Sequence, residues 1–149
     1  MSYSLGLLGS GCQVAGASQA LPQSTCPVSR TQTVPPQDSG TLQQHIGGTL
    51  AGPADMVAGS APKGEVWAIR TSTPDLVVPL SAVQIGRPGR VTFQLLTTGT
   101  TVPPVAWPGG GTGYLYMTAD RGSTFRQRGC WEIRVVGGQD ADRIVTEVR

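Results

Sequence analysis

Hydrophobic and polar residues alternate most regularly over Gly129-Cys130-Trp131-Glu132-Ile133-Arg134-Val135-Val136. Trp131, Ile133 and Val135 fall on one side, and Glu132, Arg134 and Val136 on the other. This is the period-2 pattern of a half-buried strand. Gly137-Gly138-Gln139-Asp140-Ala141-Asp142 then supplies turn residues, and Ile144, Thr146 and Val148 resume the alternation over Arg143–Arg149. The two runs predict a β-hairpin closing the domain. Five further strand candidates precede it: Glu65–Arg70, Leu76–Leu80, Arg90–Thr97, Val102–Trp107 and Gly113–Ala119. Turn signals such as Gly86-Arg87-Pro88-Gly89 and Pro108-Gly109-Gly110-Gly111 separate them. Seven short strands at this spacing predict an all-β fold, a β-sandwich or small barrel, with a sandwich of immunoglobulin-like or jelly-roll-like type the first expectation. Pro79 places Leu76–Leu80 at a sheet edge, because proline has no N–H to give to a ladder. The expected core is Trp67, Ile69, Val91, Phe93, Leu95, Leu115, Met117, Trp131, Ile133, Val135, Ile144 and Val148. No helix longer than two turns is expected.

Ahead of Lys63-Gly64 the pattern changes. Residues 1–64 carry one aromatic, Tyr3, and four charges, Arg30, Asp38, Asp55 and Lys63, among many Gln, Ser, Gly and Pro. Too little apolar surface is available there to offset the entropy of ordering. The expected organisation is therefore an extended N-terminal arm over 1–64 and a β-sandwich over 65–149. Within the arm, Thr41–Ile46 reads as a short strand or one helical turn, and Met56-Val57 as one short strand.

Composition narrows the function. Charged residues are 13% of the chain and the net charge is +2, with the arginines scattered, so no nucleic-acid partner is expected. Leu5-Gly6-Leu7-Leu8-Gly9 is short and has no basic residue before it, so it does not read as a signal peptide. No run is long enough for a membrane span, and no membrane partner is expected. Cys12, Cys26 and Cys130 make an odd count, which does not indicate a disulfide scaffold, with a Cys12–Cys26 bridge the pairing left open. With no C-x-x-C and His45 as the sole histidine, no metal or other cofactor is expected.

Candidate chemistry is sparse. Gly6-Leu7-Leu8-Gly9-Ser10-Gly11 lacks the Lys-Ser/Thr ending of a phosphate loop. His45 lies in the segment least able to hold a triad, and no G-x-S-x-G elbow is present. Asp75, Asp120, Glu132, Asp140, Asp142 and Glu147 read as turn residues or a solvated face rather than as a glycosidase pair. Trp107, between Pro103-Pro104 and the glycine run, is the candidate surface-binding residue. It is either a sugar-stacking platform or protein hot spot, or a ring folded back over the end of the sandwich.

The segments Gly113-Tyr114-Leu115-Tyr116-Met117-Thr118-Ala119-Asp120, Gly129-Cys130-Trp131-Glu132-Ile133-Arg134-Val135 and Arg143-Ile144-Val145-Thr146 resemble the C-terminal half of small immunoglobulin-like domains of tailed-phage virions, the baseplate upper-protein N-terminal type above all. The chain departs from that family at the front, where Thr97-Thr98-Gly99-Thr100-Thr101 and Pro103-Pro104 replace its Asp-Leu-Thr-Gly segment. The resemblance implies a virion structural protein and carries over no catalytic residue. The expectation is a non-enzymatic capsid decoration or cement protein, assembled in the host cytoplasm and homo-oligomeric within a symmetric particle. Its arm would staple neighbouring virion proteins, the major capsid protein first, through Tyr3, Leu5, Leu7, Leu8, Leu42 and Ile46. The alternatives are a tail, baseplate or fibre-attachment component, or a carbohydrate-binding module of the virion.

Overall fold

A computed structural model describes residues 25–34, 42–59, 65–97, 104–119 and 125–149. Its described residues form ten strands and no helix: β1 (Thr31–Val34), β2 (Leu42–Gly47), β3 (Leu50–Pro53), β4 (Val66–Arg70), β5 (Val77–Gln84), β6 (Arg90–Thr97), β7 (Val105–Ala106), β8 (Thr112–Thr118), β9 (Gly129–Val135) and β10 (Arg143–Val148). The fold is all-β. The strands join in one antiparallel sheet of order β1-β2-β3-β4-β8-β6-β5-β9-β10, and β7 pairs with β8 beyond the end of the β6 ladder.

The sheet curls until β10 meets the early part of the chain. Met56 forms a parallel bridge with Val148, and the Ala58 and Arg149 amides bond to the Arg149 and Met56 carbonyls at 2.8 and 3.0 Å. Further along β10, the Ser29 amide bonds to the Val145 carbonyl at 2.8 Å, and the Val145 amide to Ser29 Oγ at 2.7 Å. A disulfide joins Cys26 to Cys130, 104 residues apart. This corrects the sequence expectation, in which Cys130 was unpaired and Cys12–Cys26 was the open pairing.

Part of residues 1–64 is built into the same sheet as the residues after Lys63-Gly64. β1, β2 and β3 belong to the common sheet, and Leu50 and Ala51 are fully buried. Small and amide side chains suffice there because the neighbouring strands supply the bulk. Gly52, for instance, leaves its inner face to the Trp67 ring and the Ile144 side chain, where a Cβ would clash with both.

Two apolar clusters lie on opposite faces of the β3–β4–β8 wall. The larger contains Leu50, Trp67, Leu80, Leu95, Tyr116, Phe125, Trp131, Ile133 and Ile144. A row of rings runs through it, Trp67–Phe93–Phe125–Trp131, with centroids 5.4, 6.0 and 5.0 Å apart and tilted or edge-on planes. The smaller cluster is Val34, Ala51, Ala68, Val105 and Trp107, with Ile46 and Leu115 packed against it. Covering β4 on both sides explains why Trp67, Ala68 and Ile69 are buried in succession. It also explains a parity miss on β8. Tyr114 and Tyr116, not Leu115 and Met117, face the larger cluster, and the Tyr116 hydroxyl donates to the Asp75 carbonyl at 3.2 Å.

β5 is a central strand between β6 and β9, against the edge placement expected from Pro79. In a strand, the N–H and C=O of one residue point the same way. The Pro79 carbonyl accepts from the Val136 amide at 2.9 Å, so its missing N–H points toward β9. The β5–β9 ladder begins one residue later, at Leu80↔Val135. The proline therefore removes no bond to β6 and sits where the second ladder has ended.

Candidate functional site

β5, β6 and β9 direct alternate residues outward, and at one corner those residues are aliphatic. Val77 stands opposite Leu96 in register. Leu76 precedes Val77, and Val136 is tied beside Pro79 through its backbone. Leu76 is 74% exposed and Val136 52%, with Val77 and Leu96 also open to solvent. Val77 and Leu96 are thus paired exposed aliphatics on β5 and β6, with Leu76 just before β5 and Val136 just after β9. A second feature is β1, which among the described residues ends the sheet and pairs as a strand with β2 alone.

Trp107 is not part of this surface. It is 5% exposed and packs in the smaller cluster, the inward-folded arrangement of the two expected for it. The loop after it dictates this. Gly109, Gly110 and Gly111 all have positive φ, closing a turn in which the Trp107 amide bonds to the Gly111 carbonyl at 3.1 Å. Gly113 then leaves room for the ring, since a Cβ there would lie 2.8 Å from it. Ile46, expected to meet a partner, is half-buried against the same cluster. Leu42 lies in β2 with its side chain outside the described residues, as do Tyr3, Leu5, Leu7 and Leu8 altogether. Of the six expected arm residues, Ile46 alone has a described side chain, and it packs in the smaller cluster rather than at the exposed corner.

Four of the carboxylates have structural partners. Glu132 accepts from Arg134 at 2.6 Å and Arg143 at 3.2 Å, and Asp140 from Arg134 at 3.2 Å. Asp55 pairs with Arg149. Asp142 accepts the Thr49 amide at 2.9 Å and the Gln139 amide at 3.1 Å. Burial would raise its carboxyl, but these amide bonds outweigh it and hold the group below its ordinary range. His45 is buried, and its Nδ1 donates to the Ser29 carbonyl at 2.8 Å. Desolvation lowers its pKa despite the bonds to the Ser29 and Ala54 carbonyls. Asp38 and Asp120 lie outside the described residues.

Glu65 is the group whose ionisation is most altered. Burial pushes its carboxyl up to about 7, and the nearby Trp67 indole only partly counters this. The indole lies close enough to favour the carboxylate without closing a well-formed hydrogen bond, because Trp67 Nε1 and Glu65 Oε2 both remain unpaired. Gln44 donates to the Val66 carbonyl at 3.0 Å, while its own Oε1 is buried without a donor. A protonated carboxyl suits this pocket better than a charge, and its signal in the sequence was only the step from Lys63-Gly64 into the first strong strand. Among the described residues, no group of three or more His, Cys, Asp or Glu could hold a metal.

No family model, curated protein or solved structure matches the chain.

Proposed function

We propose that the chain is a non-enzymatic structural protein of a tailed-phage virion, a capsid decoration or cement protein that docks on neighbouring virion subunits. The observation that carries this reading is the aliphatic corner of Leu76, Val77, Leu96 and Val136, exposed on a sheet otherwise stapled by a long-range disulfide. Its occupant in the proposal is a subunit of the shell. A chain of low charge density suits repeated apolar contacts whose modest strengths combine by avidity across a symmetric lattice. β1, at the end of the sheet, offers a second contact by strand addition. The stapling arm, with Tyr3, Leu5, Leu7 and Leu8, belongs to the proposal as well. So does the immunoglobulin-like sandwich, in which the β3–β4–β8 part of the curled sheet faces the β5–β9–β10 part across the row of rings.

The test is gold-labelled antibody against the purified chain, applied to particles from lysates of the strain that encodes it. Label spread over heads supports the cement reading. Label confined to tails or baseplates moves the chain to that part of the particle. Particles without label overturn the virion reading. Leu96→Asp and Val136→Asp should each deplete the chain from particles without lowering its melting temperature, because both side chains face solvent in the isolated protein.

A further inference from the structure

At the opposite end of the β5–β6 hairpin lies a cleft of about 440 Å³. Gly89, Arg90 and Val91 form one wall, Arg126 and Gln127 the other, and an edge of Trp131 the floor. Its volume is in the range of small-ligand sites.

The wall carrying Arg126 and Gln127 is fixed by buried side chains. Gln84 Nε2 donates to the Arg128 carbonyl at 3.0 Å, and Trp131 Nε1 to the Gln127 carbonyl at 3.2 Å. The opposite wall is held by the Gln84 amide on the Gly89 carbonyl at 2.9 Å and the Ile85 amide on the Cys130 carbonyl at 2.8 Å. Gly89 permits this closeness, since a Cβ there would lie 2.7 Å from Gln84 Oε1.

Charge then says what the cleft is for. The ion-paired arginines of the described residues are Arg134, Arg143 and Arg149. Arg90 and Arg126 line one cleft without a carboxylate partner among the described residues, and Arg87 and Arg128 flank them in sequence in the same state. Two guanidinium groups lining one cleft favour an anion in it, and guanidinium forks match carboxylate and sulfate geometry. Single-stranded nucleic acid is disfavoured, because base stacking needs an open aromatic face and Trp131 is 1% exposed. Val91 and Gln127 complete the lining with an apolar side chain and an amide, the mixture that the C–H and hydroxyl groups of a sugar ring require.

We infer that this cleft binds an acidic saccharide, with its carboxylate or sulfate held between Arg90 and Arg126. The inference does not depend on the virion reading. The full chain, labelled with nitrogen-15, would be titrated by NMR with a uronate-containing disaccharide, a sulfated disaccharide, a neutral disaccharide and oligothymidylate. The expected result is saturable shifts of the Arg90, Val91, Arg126 and Gln127 amides with at least one acidic sugar, weakening as salt rises. The preferred acidic sugar identifies the anion. Arg90→Gln and Arg126→Gln should each weaken binding about tenfold, the worth of one charge-assisted contact. Their melting temperatures should stay unchanged, since neither side chain has a carboxylate partner among the described residues. Silence with both acidic sugars, an equal response to the neutral one, or binding that survives both replacements overturns the inference. Tighter binding of oligothymidylate than of either acidic sugar assigns the cleft to nucleic acid instead.

Discussion

Removing the Cys26–Cys130 bridge tests the placement of the N-terminal segment most directly. The two residues are 104 apart in sequence, and on the chain-entropy account a loop of that length is worth about 4.7 kcal/mol of denatured-state free energy. Without the bridge, residues 25–30 keep the paired bonds between Ser29 and Val145 and the bond from the Ile46 amide to the Arg30 carbonyl. At about 1 kcal/mol each, these do not replace the crosslink. The double variant Cys26→Ser, Cys130→Ser should therefore lose roughly 2–5 kcal/mol, the usual cost of removing a native disulfide. At about 2–4 °C per kcal/mol for a chain of this size, the melting temperature should fall by roughly 10 °C. Urea unfolding followed by tryptophan fluorescence is the assay, with oxidised wild type, reduced wild type and the variant compared. The denaturant slope should rise on reduction, because an uncrosslinked unfolded chain exposes more surface. A non-reducing peptide map should join the Cys26 peptide to the Cys130 peptide. A loss below about 1 kcal/mol would refute the reasoning, since the loop-closure term would then be missing. A map joining Cys12 to Cys26 would refute the pairing itself.

Glu65→Gln should change the pH profile of stability. A folded carboxyl raised from 4.5 to about 7 contributes stability that is full below 4.5 and lost as pH rises through about 7. Wild type should lose on the order of 2 kcal/mol between about pH 5 and pH 8 relative to the Gln variant, in chemical denaturation at the two pH values. His45 acts with the opposite sign. Its lowered pKa means stability present above 6.5 and lost as pH falls below it, a slope that His45→Gln should flatten. Trp107→Ala should cost about 3 kcal/mol or more through the cavity left in the smaller cluster, and a variant as stable as wild type would put the ring outside. Gly52→Ala should cost roughly 1–3 kcal/mol by overpacking against Trp67 and Ile144, read from the urea midpoint.

What could be read from the sequence followed the strength of alternation. β4, β6, β8, β9 and β10 stand within a residue of their expected limits, because each has one face on the larger cluster or pairs with a strand that does. β1 and β3 were hidden because nothing in Thr-Gln-Thr-Val or Leu-Ala-Gly-Pro alternates strongly. These strands are selected by tertiary neighbours that no local window contains. The same applies to β5, where Pro79 reads as an edge signal and is tolerated only because β9 ends beside it. The exposed corner was equally illegible. Val77 and Leu96 come from two strands and Val136 from the residue after a third, and only the register and the Val136–Pro79 backbone bond place them on one side. Trp107 shows the converse, since a tryptophan among prolines and glycines looks exposed until Gly113 is found to make room for its ring.

β10 has a further consequence for how the molecule comes into being. It pairs with β9 on one edge and receives Ser29 and Met56 on the other, yet it leaves the ribosome after the other nine described strands. Until it emerges, the nascent chain cannot close its seam, and Leu50, Trp67 and Ile133 lack the Ile144 and Val148 side chains that complete their cluster. Closure of this sheet is thereby deferred until β10 has emerged, with pairings of long sequence separation formed last. The unfinished chain must stay soluble with its apolar strands uncovered, and the scarcity of aromatic residues ahead of Trp67 makes that wait safer.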